Sequence, residues 1–134
     1  MSDAFLDSNI LVYAFTDDPR SERALALIEQ GPLIGVQTLN EFANVARRKL
    51  AMSWKEVGDA LAAVRALCPQ AIPVTLDVHE RALALAGRYG FSFYDALVAA
   101  AALAGGCRTL WSEDMQHGLK VERRLKIVNP FLET

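Results

Sequence analysis

The strongest constraint on this chain is an alternation. Apolar runs too short for helices are each followed by a longer stretch of helical period. "AFLD" (4–7), "LIGVQ" (33–37), "AIPVTL" (71–76), "CRTLW" (107–111) and "LKIVNP" (125–130) read as strands. Between them lie a helical turn from Asn9, a helix over "RSERALALIEQ" closed by Gly31-Pro32, and "TLNEFANVARRKL" with apolar residues at Leu39, Phe42, Val45, Ala46 and Leu50. Further helices start at Ser53 and at about Asp77 and Phe93. A βαβα order predicts an α/β fold: a parallel sheet of four to five strands with helices on both faces, in three layers. Pro73 places the third strand at an edge, because proline cannot donate to a central ladder. The 134 residues suit one domain spanning 1–134, burying roughly two thirds of the unfolded surface.

Composition then removes several function classes. A net charge of −2 offers no global basic field for nucleic acid, so any polyanion must be held locally. Cys68 and Cys107 lack CxxC spacing and read as buried thiols of a reducing compartment, not as a disulfide or zinc site. "MSDAFLD" has no basic leader, and the longest uncharged run, Ala96–Cys107, is too short to span a bilayer. A cytoplasmic protein with no membrane partner is expected.

Asp7 is the difficulty. It stands between Phe5-Leu6 and Ile10–Tyr13, both of which read as buried, with Asn9 two residues on. An unpaired buried carboxylate costs several kcal/mol, so it must be paired, solvated in a cleft or bound to a metal. Arg47 or Arg48 would serve as a purely structural partner. In open parallel sheets, ligands bind beyond the carboxyl ends of the strands. Asp7 ends the first strand, Glu41 opens the helix after the second, Asp95 opens the helix before the fourth, and Glu113-Asp114 follow that strand directly. All of these acids can reach one rim.

Two of the acids also have a structural explanation. Thr38–Glu41 and Ser92–Asp95 fit the capping-box spacing, as do Ser53–Glu56 and, more loosely, Asp77–Glu80. Asp114 alone fits a turn before Gly118. As a group they fit less well. Carboxylates about 4–5 Å apart repel by roughly 3–4 kcal/mol per pair at an effective dielectric near 20, more than capping bonds of about 1 kcal/mol offset. A divalent cation would offset it, and oxygen ligands without His or Cys point to Mg²⁺ or Mn²⁺. His79 and His117 read as surface side chains.

"FLDSN", "TLNEF", "FYDALVAAAA" and "LWSEDM", in this order on this alternation, resemble the PIN domain, and most of all the VapC-type ribonuclease toxins of toxin–antitoxin pairs. The likeness runs over essentially the whole chain. It implies a PIN-like three-layer sandwich whose acidic site lies at the strand C-terminal ends. It also implies a catalytic quartet of Asp7, Glu41, Asp95 and Asp114, with Asp7, Asp95 and Asp114 as metal ligands. Asn9 and Ser112 would hold those ligands in place, and Glu113 competes with Asp114 for the fourth position. The implied cofactor is Mg²⁺ (or Mn²⁺). The implied partners are single-stranded or structured RNA, a cognate antitoxin, and a second copy in a homodimer, for which the apolar faces near Ala24–Leu27 and Trp54–Leu61 serve as readily as they serve the core.

An acidic rim repels RNA, so cations elsewhere must hold the backbone. Arg47-Arg48-Lys49 and Lys120, Arg123, Arg124 with Lys126 are available, as are Trp54, Tyr89 and Tyr94 for stacking. Ordinary solvated faces and core packing explain the same residues. Two rival functions remain. One is a haloacid-dehalogenase-like phosphotransfer domain with Asp7 as nucleophile, which wants a second Asp where Asn9 stands. The other is a degenerate PIN domain that only binds RNA or protein, which a complete quartet disfavours.

Overall fold

The computed structural model describes residues 3–132. In chain order the elements are β1 (Ala4–Leu6), α1 (Ser8–Ala14), α2 (Ser21–Glu29), β2 (Ile34–Gly35), α3 (Val36–Arg48), α4 (Trp54–Leu67), β3 (Ala71–Ile72), α5 (Leu76–Tyr89), α6 (Phe93–Ala104), β4 (Thr109–Trp111), β5 (Lys120–Val121) and β6 (Leu125–Val128). The main sheet runs β1-β4-β6-β5 and a second pair is β2-β3. Leu33 joins the two through a parallel bridge to Phe5, with Leu6 N–H donating to Leu33 O at 3.0 Å. The strands therefore lie in the order β3-β2-β1-β4-β6-β5, and β3 is at an edge as Pro73 predicts.

That order puts a reversal of winding between β1 and β4. The chain leaves β1 toward β2 and β3 on one side and reaches β4, β6 and β5 on the other. Such a switch point opens a crevice beyond the carboxyl ends of its two strands. β1 and β4 pair in parallel, Leu6 beside Trp111, so Asp7 and Ser112 emerge next to each other.

One core lies on each face. Phe5, Leu110, Val121, Leu125 and Ile127 pack against α5 and α6. Leu6 and Ile34 pack against α1 to α4, with Ile10, Leu11, Leu27, Ile28, Phe42 and Val64. α6 is buried over all of Ala96–Leu103, which explains its uninterrupted apolar sequence: a helix hydrophobic all round has no solvent face. Cys68 and Cys107 are free and buried, as expected. No helix among the described residues is long and apolar enough to cross a membrane.

Several local expectations are corrected. "LIGVQ" contributes only Ile34–Gly35, since the chain turns straight into α3 at Val36. Gly35 is the N-cap, and an added Cβ there would approach Phe5 Cζ to 3.2 Å. Thr38 is therefore the third helical residue, donating no cap to Glu41; its Oγ1 accepts from Gly35 N–H at 3.2 Å. Glu41 is thereby left without the capping role that its spacing allowed. "AIPVTL" likewise shrinks to Ala71–Ile72, and α5 is capped by Thr75, whose Oγ1 accepts from Val78 N–H at 3.1 Å, not by Asp77. Ser53 and Glu56 do form a reciprocal box. The sheet is not wholly parallel, because β5 is an antiparallel edge strand that sequence reading passed over. Thr75→Ala is expected to cost about 1 kcal/mol in a denaturant titration. A larger loss from Asp77→Ala would show the cap to be misassigned.

Candidate active site

Asp7 lies at the switch point as the N-cap of α1, and only 5% of its surface is exposed. Its Oδ1 accepts from Ser8 N–H at 2.7 Å. Its Oδ2 accepts from Ser112 Oγ at 2.7 Å and, more weakly, from Asn9 Nδ2 at 3.4 Å. The same Asn9 amide donates to Asp114 Oδ2 at 3.2 Å, so one side chain ties the acids of β1 and β4 together. Ser112 Oγ in turn accepts from Met115 N–H at 3.3 Å, which fixes the turn carrying Asp114. Among the described residues no arginine pairs with Asp7: Arg47 lies over the Trp54 ring at 4.6 Å and donates to Met52 O at 2.9 Å. Burial pushes the Asp7 carboxyl up to about 6; the Ser112 and Ser8 bonds oppose it, while Asp95 and Asp114 add repulsion.

Glu41 sits in the second turn of α3. Burial, then the charges of Asp7 and Asp95, push its carboxyl up to about 7. Among the described residues, Glu41 Oε1 is the one buried side-chain oxygen or nitrogen with no hydrogen-bond partner. Asp95 is in the first turn of α6, whose N-cap hydroxyl, Ser92 Oγ, accepts from Asp95 N–H at 3.2 Å. Burial also raises Asp95, with Asp114 adding to it. The four acids thus share one electrostatic neighbourhood, although among the described residues no three of them converge into a finished metal cage.

Glu113 faces elsewhere. It accepts from the Tyr13 hydroxyl and from Arg20 Nη1, the latter at 2.7 Å. Arg20 also grips Asp18 through two bonds of 2.7 Å and lies 4.1 Å from the Tyr13 ring centre. Asp114 therefore points to Asn9, and its neighbour Glu113 is bound up in an ion-pair network beside the rim. Sequence reading missed this network, because Tyr13, Arg20 and Glu113 carry no common spacing.

A second omission was legible. Gln37, Asn40, Glu41 and Asn44 recur at i, i+3, i+4 and i+7, which is one helix face. With exposed Tyr94 they line a polar hollow of about 330 Å³ beside Glu41. Arg48 continues that face about 10 Å from Glu41 at 1.5 Å rise per residue. Lys120, Arg123 and Arg124 are not at the rim: with Arg108, Thr109 and Lys126 they line a concavity of about 640 Å³ at the amino ends of β4 and β6. Trp54 is exposed and Tyr89 packs against Phe91. His79 and His117 are exposed, as expected.

Carboxylates gathered at a switch point, near the carboxyl ends of parallel strands, define an acidic-site α/β domain. The chain belongs to the PIN domain family, whose model matches residues 4–119. No curated protein matches the sequence. Among solved structures, a toxin–antitoxin complex from Klebsiella pneumoniae matches with a TM-score of 0.74 and 21% identity, over 96% of this chain and 98% of its own. Mycobacterium tuberculosis VapC20, a sarcin–ricin loop cleaving toxin, gives 0.68 and 22%, over 83% and 89%. VapBC2 from Rickettsia felis, bound to a DNA fragment from its promoter, gives 0.60 and 20%, over 83% and 87%. These likenesses show the fold, a mixed α/β sandwich with a mostly parallel central sheet.

Proposed function

We propose that this protein is a divalent-metal-dependent endoribonuclease, acting as the toxin of a toxin–antitoxin pair, with residues 1–134 as one PIN domain. The observation that carries the reading is Glu41 Oε1, buried without a hydrogen-bond partner and within electrostatic reach of the buried carboxylate of Asp7. Neighbouring acids whose proton affinity is raised by burial make a poor structural unit, and a hard cation would hold them ionised together. The donor set is all oxygen, which fits Mg²⁺ or Mn²⁺.

Asp7, Asp95 and Asp114 are proposed to hold the ion, directly or through water. When bound, it would supply charge for the phosphate oxygens and an activated water. Glu41, with its raised proton affinity, is suited to orient that water and accept its proton. Asn9 and Ser112 hold Asp7 and Asp114 in position through the bonds described above. Asn9 stands where a phosphotransfer domain wants a second Asp, which disfavours the use of Asp7 as a phosphorylated nucleophile. The Klebsiella and Rickettsia complexes support an antitoxin partner here, and a guanidinium is the group suited to bridge two of these carboxylates. A homodimer belongs to the same reading: Ala24, Leu27, Val57 and Ala60 are buried in the core, while Leu25 and Trp54 on the same two helices are exposed and available to an interface.

The test is cleavage of single-stranded RNA, abolished by EDTA and restored by Mg²⁺ or Mn²⁺. Glu41→Gln, Asp95→Asn and Asp114→Asn should each lower turnover at least about a hundredfold, the scale of a lost general acid–base or ligand group. Glu56→Gln and Glu113→Gln should leave it within about threefold, because the one caps α4 and the other pairs with Arg20. Equal effects from all five would remove the quartet reading.

A further inference from the structure

We propose that the sheet face left uncovered beyond β4 is a second phosphate-binding platform, which grips the backbone of the RNA substrate away from the bond that is cut. The proposal rests on the ribonuclease reading. On the face covered elsewhere by α1 to α4, the helical layer ends at β4. There Thr109 lies beside Lys126 and Lys126 opposite Lys120, while the alternate residues Leu110, Val121, Leu125 and Ile127 are buried on the other side.

Three features of this face are unfavourable to the protein alone. Lys120 and Lys126 are directly opposed across an antiparallel pair, a like-charge arrangement that destabilises a sheet. An edge lysine blocks strand-to-strand aggregation, which accounts for Lys120 but not for Lys126 on the inner strand β6. Next, Glu122 and Arg123 both hold left-handed backbone, φ 52° and 59°, in a tight turn where Asn-Gly is the usual choice. The Tyr89 hydroxyl pins that turn by accepting from Glu122 N–H at 2.7 Å. Finally, Arg108, Lys120, Arg123, Arg124 and Lys126 surround a hollow of about 640 Å³, and none of them takes part in an ion pair among the described residues. The like-charge pair and the unpaired cations are both relieved by the same ligand, a row of phosphates, and the strained turn holds Arg123 at its edge.

A nucleic-acid strand fits better than a lone anion. Thr109 lines the hollow at the start of β4, and Ser112, the residue that follows the end of that strand, holds Asp7. The platform thus lies about 10 Å from the acids at about 3.3 Å per residue. That spans about three nucleotides of a stacked strand. Trp111 lies between them on the same face, half-buried, with the Arg23 guanidinium 5.9 Å from its ring centre. An aromatic between cations is the pattern that holds single strands without reading sequence.

Binding is measured by fluorescence anisotropy on the full chain in EDTA, with single-stranded RNA of about 16 and about 4 nucleotides. In the triple variant Arg108→Gln, Lys120→Gln, Lys126→Gln, affinity for the longer RNA should fall about tenfold and its log–log salt slope by about 2, with the shorter RNA little affected. The melting temperature should hold or rise, because the opposed lysines are gone. Arg123→Gly provides a second readout: it relaxes the left-handed turn, so it should stabilise the fold and still weaken binding of the longer RNA. With Mg²⁺, KM for the longer substrate should rise while kcat is kept. Unchanged affinity and slope in both variants would overturn the platform even if the wild type cleaves RNA. So would equal competition by inorganic phosphate, or tighter retention of polyglutamate than of RNA. Absence of metal-dependent cleavage by the wild type would instead overturn the ribonuclease reading, whatever the binding result.

Discussion

Asp7→Asn is expected to abolish metal-dependent RNA cleavage while raising the melting temperature of the metal-free protein. Both effects come from one charge. Asp7 is almost wholly buried, and burial lifts its carboxyl from 3.8 to about 6. A shift of about two pH units corresponds to about 3 kcal/mol by which the ionised form opposes folding. Because the folded value lies above the unfolded one, that contribution has a definite pH window. Below about 4 the group is neutral in both states and nothing is lost. Between about 4 and 6 stability declines, and above 6 the full cost is present. Asn keeps an oxygen for the Ser8 N–H and removes the charge, so the gain should be large at pH 7.5 and vanish near pH 4. The checks are melting curves in EDTA at both pH values and turnover with Mg²⁺. Full activity in a folded Asp7→Asn protein would sink the quartet.

Magnesium should stabilise the wild type at pH 7.5 and do so far less at pH 5. Glu41, raised to about 7, widens the window set by Asp7, so metal-free stability falls between about pH 4 and 7. A cation binds the ionised groups, and at a hundredfold excess over its Kd it contributes about 2.7 kcal/mol, several degrees for a domain of this size. At pH 5 protons occupy the same carboxyls and compete. Glu41→Gln should flatten the metal-free pH dependence and shrink the Mg²⁺ effect at pH 7.5. Scanning calorimetry at the two pH values, with EDTA or Mg²⁺, reads all of this. Identical melting temperatures with and without metal at pH 7.5 would remove the metal from the proposed mechanism.

Much of the fold was legible because its signals are local. Strand β1, helices α4 and α6, and the edge position of β3 follow from periodicity, a reciprocal Ser53–Glu56 cap and a proline. Where two local signals competed, sequence reading chose wrongly. Thr38 and Asp77 looked like caps because their spacing to an acid was right. The actual caps, Gly35 and Thr75, sit three and two residues earlier, where packing needed the chain to turn. β5 was passed over because its hairpin turn is Glu-Arg, a pair that carries no turn signal and adopts left-handed backbone only under constraint.

The sequence by itself determined the βαβα order and the placement of four acids just after strand ends or in the first two turns of helices. These depend on side-chain period and on chain direction, both of which are properties of short segments. Only the tertiary structure decided which acids meet. The strand order brings β1 against β4, Asn9 then bridges Asp7 to Asp114, and Arg20 draws Glu113 away although it is Asp114's neighbour. It also separated the two groups of cations, leaving Arg48 on the Glu41 face and opposing Lys120 to Lys126 on an open sheet. Register and strand order are set by contacts between residues a hundred positions apart, and no local spacing encodes them.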